Sequence, residues 1–95
     1  MLEKQIEKYL VRKVTAAGGV AYKFTSPARR SVPDRLCVFP NGDVIFVEVK
    51  QQNGVLTSGQ RRECNRLMEM QQHVEVVYSK EDIDYLLNER EVLNA

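Results

Sequence analysis

One histidine, two cysteines, three prolines and no tryptophan occur in the 95 residues of this chain. A tetrahedral zinc site draws on cysteine and histidine, and His73 with two distant thiols cannot furnish one. His73 falls at the end of a helix-like segment, where a capping or surface role is expected. Cys37 and Cys64 stand in apolar settings far apart in sequence. A disulfide would want closer pairing, so both are expected as buried free thiols. No apolar run approaches the ~18 residues of a membrane-crossing helix. The N-terminal MLEKQIEKYLVRK is charged throughout and lacks a signal-peptide core. The expected location is the cytoplasm, with no membrane partner and no small-molecule cofactor.

Net charge is also small. Fourteen Lys and Arg stand against 13 Asp and Glu, giving +1, so the chain is no polycation. The charges are unevenly spread. Lys23, Arg29, Arg30, Arg35, Lys50, Arg61, Arg62 and Arg66 fill the middle, while acidic residues gather from Glu75 to Glu91. That asymmetry suits a basic face for phosphates with an acidic side turned away, or equally a set of ordinary solvated charges. A hydrophobic fraction of 43% and a charged fraction of 28% are usual for a globular protein. A chain this short supports one core, hence a single domain over residues 1–95.

Periodicity supplies the elements. Leu2, Ile6, Tyr9, Leu10, Val14 and Ala17 recur at helical spacing and predict a helix over residues 2–17, ended by Gly18-Gly19. Residues 20–25 read as a strand. SPARRSVP follows as a loop. Residues 35–39 and 43–50 are the strongest strand signals, joined by a Pro40-Asn41-Gly42 hairpin turn in which Asn-Gly supplies positive φ angles. The nearly continuous run Val44 to Val49 predicts a central strand buried on both faces. Thr57 or Ser58 can cap a helix over 58–72. Residues 74–78 form another strand, and Ser79 caps a last helix to about residue 91 with Ile83, Leu86 and Leu87 inside. The expected order is αβββαβα.

Two charges interrupt this pattern. Glu48 breaks the apolar run, and Lys50 shares its face two residues on. A lone carboxylate inside a sheet is costly, and either a metal ion or an ion pair would offset that cost. Asp34 opens the preceding strand, and the hairpin returns that strand end to the side of Glu48. Two carboxylates and a lysine therefore converge at one sheet edge. Such a set can hold Mg²⁺ with waters and substrate phosphate oxygens, and the Val49 carbonyl could add a ligand. The metal would polarise a phosphoryl group and acidify a water, with lysine orienting that water or stabilising charge on phosphorus.

Val32-Pro33-Asp34 followed by Glu48-Val49-Lys50 resembles the signature of the PD-(D/E)xK nucleases, whose αβββαβ order the expected elements match. The surrounding residues resemble the VRR-NUC branch, the virus-type replication-repair nucleases. The matching stretches are Ser26 to Leu36, Phe39-Pro40-Asn41-Gly42-Asp43, Val47 to Lys50 and Gly54 to Gln60, within a likeness over residues ~1–87 of the chain. Ala28 and Ser31 depart from it, standing where that family often has glycine.

The resemblance implies a restriction-endonuclease-like α/β fold, a mixed central sheet flanked by helices with a C-terminal helix added. It implies a Mg²⁺- or Mn²⁺-dependent endodeoxyribonuclease with Asp34, Glu48 and Lys50 catalytic, and Asp34, Glu48 and the Val49 backbone carbonyl on the metal. It adds a glutamate of the first helix and Gln60. Glu3 fits better than Glu7, because a helical wheel puts it within the apolar face, and it would serve the metal directly or through water. A helix-dipole role for Glu3 and a backbone-bonded buried amide for Gln60 are the alternatives.

Arg29, Arg30, Arg35, Arg61, Arg62 and Arg66 are the expected phosphate contacts, reading shape rather than sequence. Stand-alone members of the family resemble Holliday junction resolvases. A homodimer acting on branched DNA, in a bacterial or phage-infected cell, is therefore implied. Flap, nicking or restriction-like cleavage is the alternative, and a non-catalytic nucleic-acid-binding module is the alternative of a different class.

Overall fold

The computed structural model describes residues 1–94, with side chains through residue 89. Glu91, at the end of the acidic stretch, lies outside the described side chains. The elements follow the order α1 (Glu3–Ala16), β1 (Val20–Lys23), β2 (Arg35–Val38), β3 (Val44–Val49), α2 (Ser58–Glu69), β4 (His73–Val77) and α3 (Lys80–Asn94). No helix among the described residues is long and apolar enough to cross a membrane.

The sheet runs β1-β2-β3-β4. β1 and β2 are antiparallel, as are β2 and β3, while β4 joins β3 in parallel. A parallel neighbour needs a crossover, and α2 supplies it. Alternation along β3 then separates two faces. Ile45, Val47 and Val49 point one way, onto Ile6, Leu10 and Val14 of α1 and Ile83, Leu86 and Leu87 of α3. This is the core, and Cys37 belongs to it as a free thiol.

The other face is different. Phe46, Leu36 and Val38 are only half-buried, and Tyr22 and Val20 remain 55% and 47% exposed. The apolar run of β3 predicted burial on both sides. β3 is interior in hydrogen bonding, yet only its C-terminal end is buried on both faces. A single short helix, α2, covers this second face and reaches only the β3–β4 side.

Local chemistry fixes the ends. The β2–β3 turn contains one positive φ angle, at Gly42 (+94°), and not the Asn-Gly pair of a two-residue hairpin. Pro40 presets the first turn residue in the right-handed region, so the chain makes a type I turn closed by a left-handed glycine. The Gly42 N–H donates to the Phe39 carbonyl at 2.9 Å. Thr57 caps α2, its hydroxyl accepting the Gln60 N–H at 3.1 Å. Ser79 caps α3 through the Asp82 N–H at 3.1 Å. α2 stops at Glu69 rather than 72, and Gln71 at φ +67° turns the chain. His73 thereby opens β4 instead of ending α2, with its Nε2 2.7 Å from Glu75 Oε1.

Candidate active site

Strand register brings Asp34 to Glu48. Arg35 pairs with Val47, so the next step outward sets Asp34 opposite Glu48 and Pro33 opposite Val49. The Asp34 carbonyl accepts the Phe24 N–H at 3.0 Å, which turns the backbone of Asp34 toward β1 and that of Pro33 toward β3. Proline has no N–H to give. The ladder therefore breaks at this step. The Asp34 carboxylate takes the Val49 N–H instead, at 2.8 Å to Oδ2. The Val49 carbonyl, opposite Pro33, gets no donor from β2.

Glu48 is 2% exposed, the one buried charged residue among the described side chains. Gln60 Nε2 donates to its Oε2 at 3.1 Å, and Lys50 Nζ stands 4.0 Å from the same oxygen. Burial pushes the Glu48 carboxyl up to about 8, helped by the Asp34 charge; Lys50 pulls it back, while a hydrogen bond with Asp34 and the Glu3 charge add to the rise. Cys64 of α2 is buried nearby, and burial followed by the Glu48 and Glu63 charges pushes its thiol up.

Gln60 reconciles its two sequence readings. Its Oε1 accepts the Thr57 N–H at 2.9 Å while its amide nitrogen holds Glu48. One side chain both closes the helix cap and orients the buried carboxylate.

The first-helix glutamates separate. Glu7 is engaged by Arg35, whose Nε donates to its Oε2 at 2.8 Å. Glu3 is exposed at the first turn of α1, not on the core side that the helical wheel gave it. The wheel ranks angle only, and at the helix start the sheet no longer lies beneath. Glu3 reaches the site through its charge, raising the Glu48 carboxyl.

The arginines also divide. Arg35, expected among the phosphate contacts, lies on the α1 side of the sheet and binds both Glu7 and the Ala21 carbonyl, at 3.1 Å. Arg29 pairs with Glu63 of α2 at 2.9 Å, and Arg66 stands 4.0 Å from the same carboxylate. Arg30, Arg61 and Arg62 are exposed, the last two following Gln60 in α2. The loop carrying Arg29 and Arg30 sits directly on α2: a Cβ on Gly59 would come within 2.9 Å of Ser31 Oγ. Ser31 itself has φ +68°, which accounts for a glycine preference at this position.

A protein named "Putative nuclease p44", from Acyrthosiphon pisum secondary endosymbiont phage 1, is 47% identical over 85 residues, 90% of this chain and 90% of that one. A solved structure of a VRR_NUC domain superposes with a TM-score of 0.86 at 33% identity, over 90% of this chain and 94% of the other. The chain belongs to the VRR-NUC family. No family model matches the sequence. The mixed sheet and three helices of this VRR-NUC domain are thus shared with a solved relative that is covered almost end to end.

Among the described residues, no three His, Cys, Asp or Glu side chains cluster as metal ligands. The donor set at this step is two carboxylates and the Val49 carbonyl left over by Pro33. All are hard oxygens. That set fits Mg²⁺ or Mn²⁺, which keep several waters, and does not fit zinc.

Proposed function

We propose that this VRR-NUC domain is a Mg²⁺- or Mn²⁺-dependent endonuclease that hydrolyses phosphodiester bonds in branched DNA. One observation carries the reading: two carboxylates and a lysine meet at the end of β3, one carboxylate fully buried. A merely structural sheet edge has no use for a buried glutamate facing a second carboxylate, because each raises the cost of the other. The same argument stands against an idle binding module.

Asp34, Glu48 and the Val49 carbonyl would hold the metal. When bound, the ion supplies charge against the phosphoryl oxygens and acidifies water. The protein groups do the rest. The Val49 N–H fixes the Asp34 carboxylate, and Gln60 fixes Glu48. Lys50, half-buried on the Glu48 face, orients the attacking water or stabilises charge building on phosphorus. Glu3 adds negative potential from the helix start. Arg30, Arg61 and Arg62 hold phosphates beside the scissile one without reading bases.

One chain offers one such centre. Symmetric cleavage of a four-way junction needs two, related by a twofold axis. We therefore extend the proposal to a homodimer with Holliday junction resolvase-like activity. Tyr85 on α3 and Val55 in the loop before α2, 68% and 72% exposed, supply apolar surface for it.

The test offers four-way junctions, flaps and plain duplex to the protein with Mg²⁺, Mn²⁺ or Ca²⁺. Junctions are cut with Mg²⁺ or Mn²⁺ and only bound with Ca²⁺, whose looser coordination positions water poorly. Preference for flaps or nicked duplex would replace the resolvase assignment while keeping the nuclease. A strict monomer by light scattering at micromolar concentration, with and without junction DNA, would remove the dimer.

A further inference from the structure

A basic groove lies on the opposite side of the sheet from α2. Lys4, Lys8 and Arg12 of α1 form one wall, and Lys23 and Arg35 of β1 and β2 the other, around about 530 Å³ of open space. Glu7 is the one carboxylate in its lining, and Arg35 already engages it at 2.8 Å. Five cations against one carboxylate make +4, on a chain whose net charge is +1, so the remainder of the molecule sums to −3.

Like charges crowd one face of α1, with Arg12 also resting over the Tyr9 ring at 5.2 Å. Lys4, Lys8 and Arg12 follow at i, i+4 and i+8, where like charges each cost a few tenths of a kcal/mol. All three are exposed, as is Lys23, so none of these charges is needed to satisfy the interior. The groove is also held rigidly, because the Arg35–Glu7 pair ties α1 to β2.

Its position decides what it fits. Lys4 follows Glu3, whose charge acts on Glu48, and Arg35 follows Asp34. The groove therefore begins at the border of the candidate active site and runs away from it along α1. From Lys4 to Arg12 is eight residues, about 12 Å of helix. Over the same length of duplex axis one DNA strand rises by about three to four nucleotides, at ~3.4 Å each. The other exposed arginines, Arg29, Arg30, Arg61, Arg62 and Arg66, lie on α2 or on the loop packed against it.

We infer that the α1–β1 groove is a second phosphate-backbone track, so that the nucleic acid straddles the end of the sheet, with one arm on the α2 face and the other along α1. The inference rests on the nuclease reading above and adds to it where the substrate runs. The groove has no aromatic platform and no recognition helix, so it holds backbone without base preference.

The experiment measures binding of a four-way junction and of a plain duplex, with Ca²⁺ in place of Mg²⁺, across a salt series. Wild type is compared with a Lys4→Ala, Lys8→Ala, Arg12→Ala triple variant and with Lys13→Ala, whose side chain pairs with Asp84 outside the groove. Alanine suits exposed helix positions, and an unchanged melting temperature certifies the fold. The triple variant is expected to weaken binding about 10-fold or more at ~0.1 M salt, and to flatten the log–log salt slope by about two to three. Lys13→Ala should leave the slope unchanged. A triple variant that keeps wild-type slope and affinity, while wild type binds and cuts DNA, overturns the groove alone. Wild type that neither binds nor cuts any of these DNAs overturns the nuclease reading and the groove with it.

Discussion

The two faces of the sheet are built for different tasks. Under α1 and α3, Ile45, Val47 and Val49 are sealed at 0–1% exposure among aliphatic side chains. Across the sheet, Phe46 is half-buried and Val44 is 38% exposed, and full burial returns only at Glu48. One face spends two helices on closing a core. The other spends its single helix on covering a carboxylate. α2 contributes Gln60 and the Cys64 wall to that cover, and little to the apolar face beside it. Stability and the proposed chemistry thus reside on opposite sides of the same strand, one residue apart.

That division is open to attack by mutation. The largest stability effect belongs to the closed face: Ile45→Ala should cost about 2–5 kcal/mol in denaturant unfolding. Phe46→Ala, one position away and larger in side chain, should cost only about 1–2 kcal/mol because its ring is half in solvent already. Equal losses would erase the distinction between the faces.

Glu48→Gln should separate stability from activity by sign. The amide removes the buried charge, so the metal-free protein gains stability while cleavage is lost. The pH dependence follows from the raised carboxyl. With a folded value of about 8 against an ordinary 4.5, the protonated form is favoured in the fold. Its contribution is fully present below pH 4.5, falls as pH rises from there to about 8, and is flat above. Thermal unfolding of the metal-free wild type should show that decline, and Glu48→Gln should flatten it. Mn²⁺ should restore stability most at the alkaline end, where no proton must leave.

Smaller effects come from the parts that hold α2 in place. Thr57→Ala should cost about 1 kcal/mol through the lost cap. Because the same cap orients Gln60, it should also reduce cleavage more than its stability loss explains. Ser31→Gly relieves a left-handed backbone and should stabilise the loop by up to about 1 kcal/mol.

Much of this was legible in the sequence. The seven elements followed from periodicity, since each buries one stripe or one alternating set. Asp34, Glu48 and Lys50 stood out because the hairpin forces their strand ends together. What sequence could not give was which face each residue occupies in three dimensions. Arg35 is visible in the sequence only as a charge, and strand parity decides that it lies on the α1 side of the sheet, tied to Glu7. Glu3 looked core-facing because a helical wheel does not know where the sheet ends. The half-open face of β3 was hidden for a related reason: an unbroken apolar run does not reveal how far one covering helix reaches. The Lys4-Lys8-Arg12 stripe was readable from spacing, but it acquires a partner wall only when β1 folds back beside α1.

The most direct test of the centre compares wild type, Asp34→Ala and Lys50→Ala in cleaving a four-way junction under Mg²⁺, alongside binding and melting temperature. Both variants should lose at least about 10³-fold in rate, equivalent to ~4 kcal/mol of barrier, while still folding and binding DNA, Asp34→Ala at least as tightly as wild type. Either variant cutting at the wild-type rate would contradict a nuclease centre built on these residues.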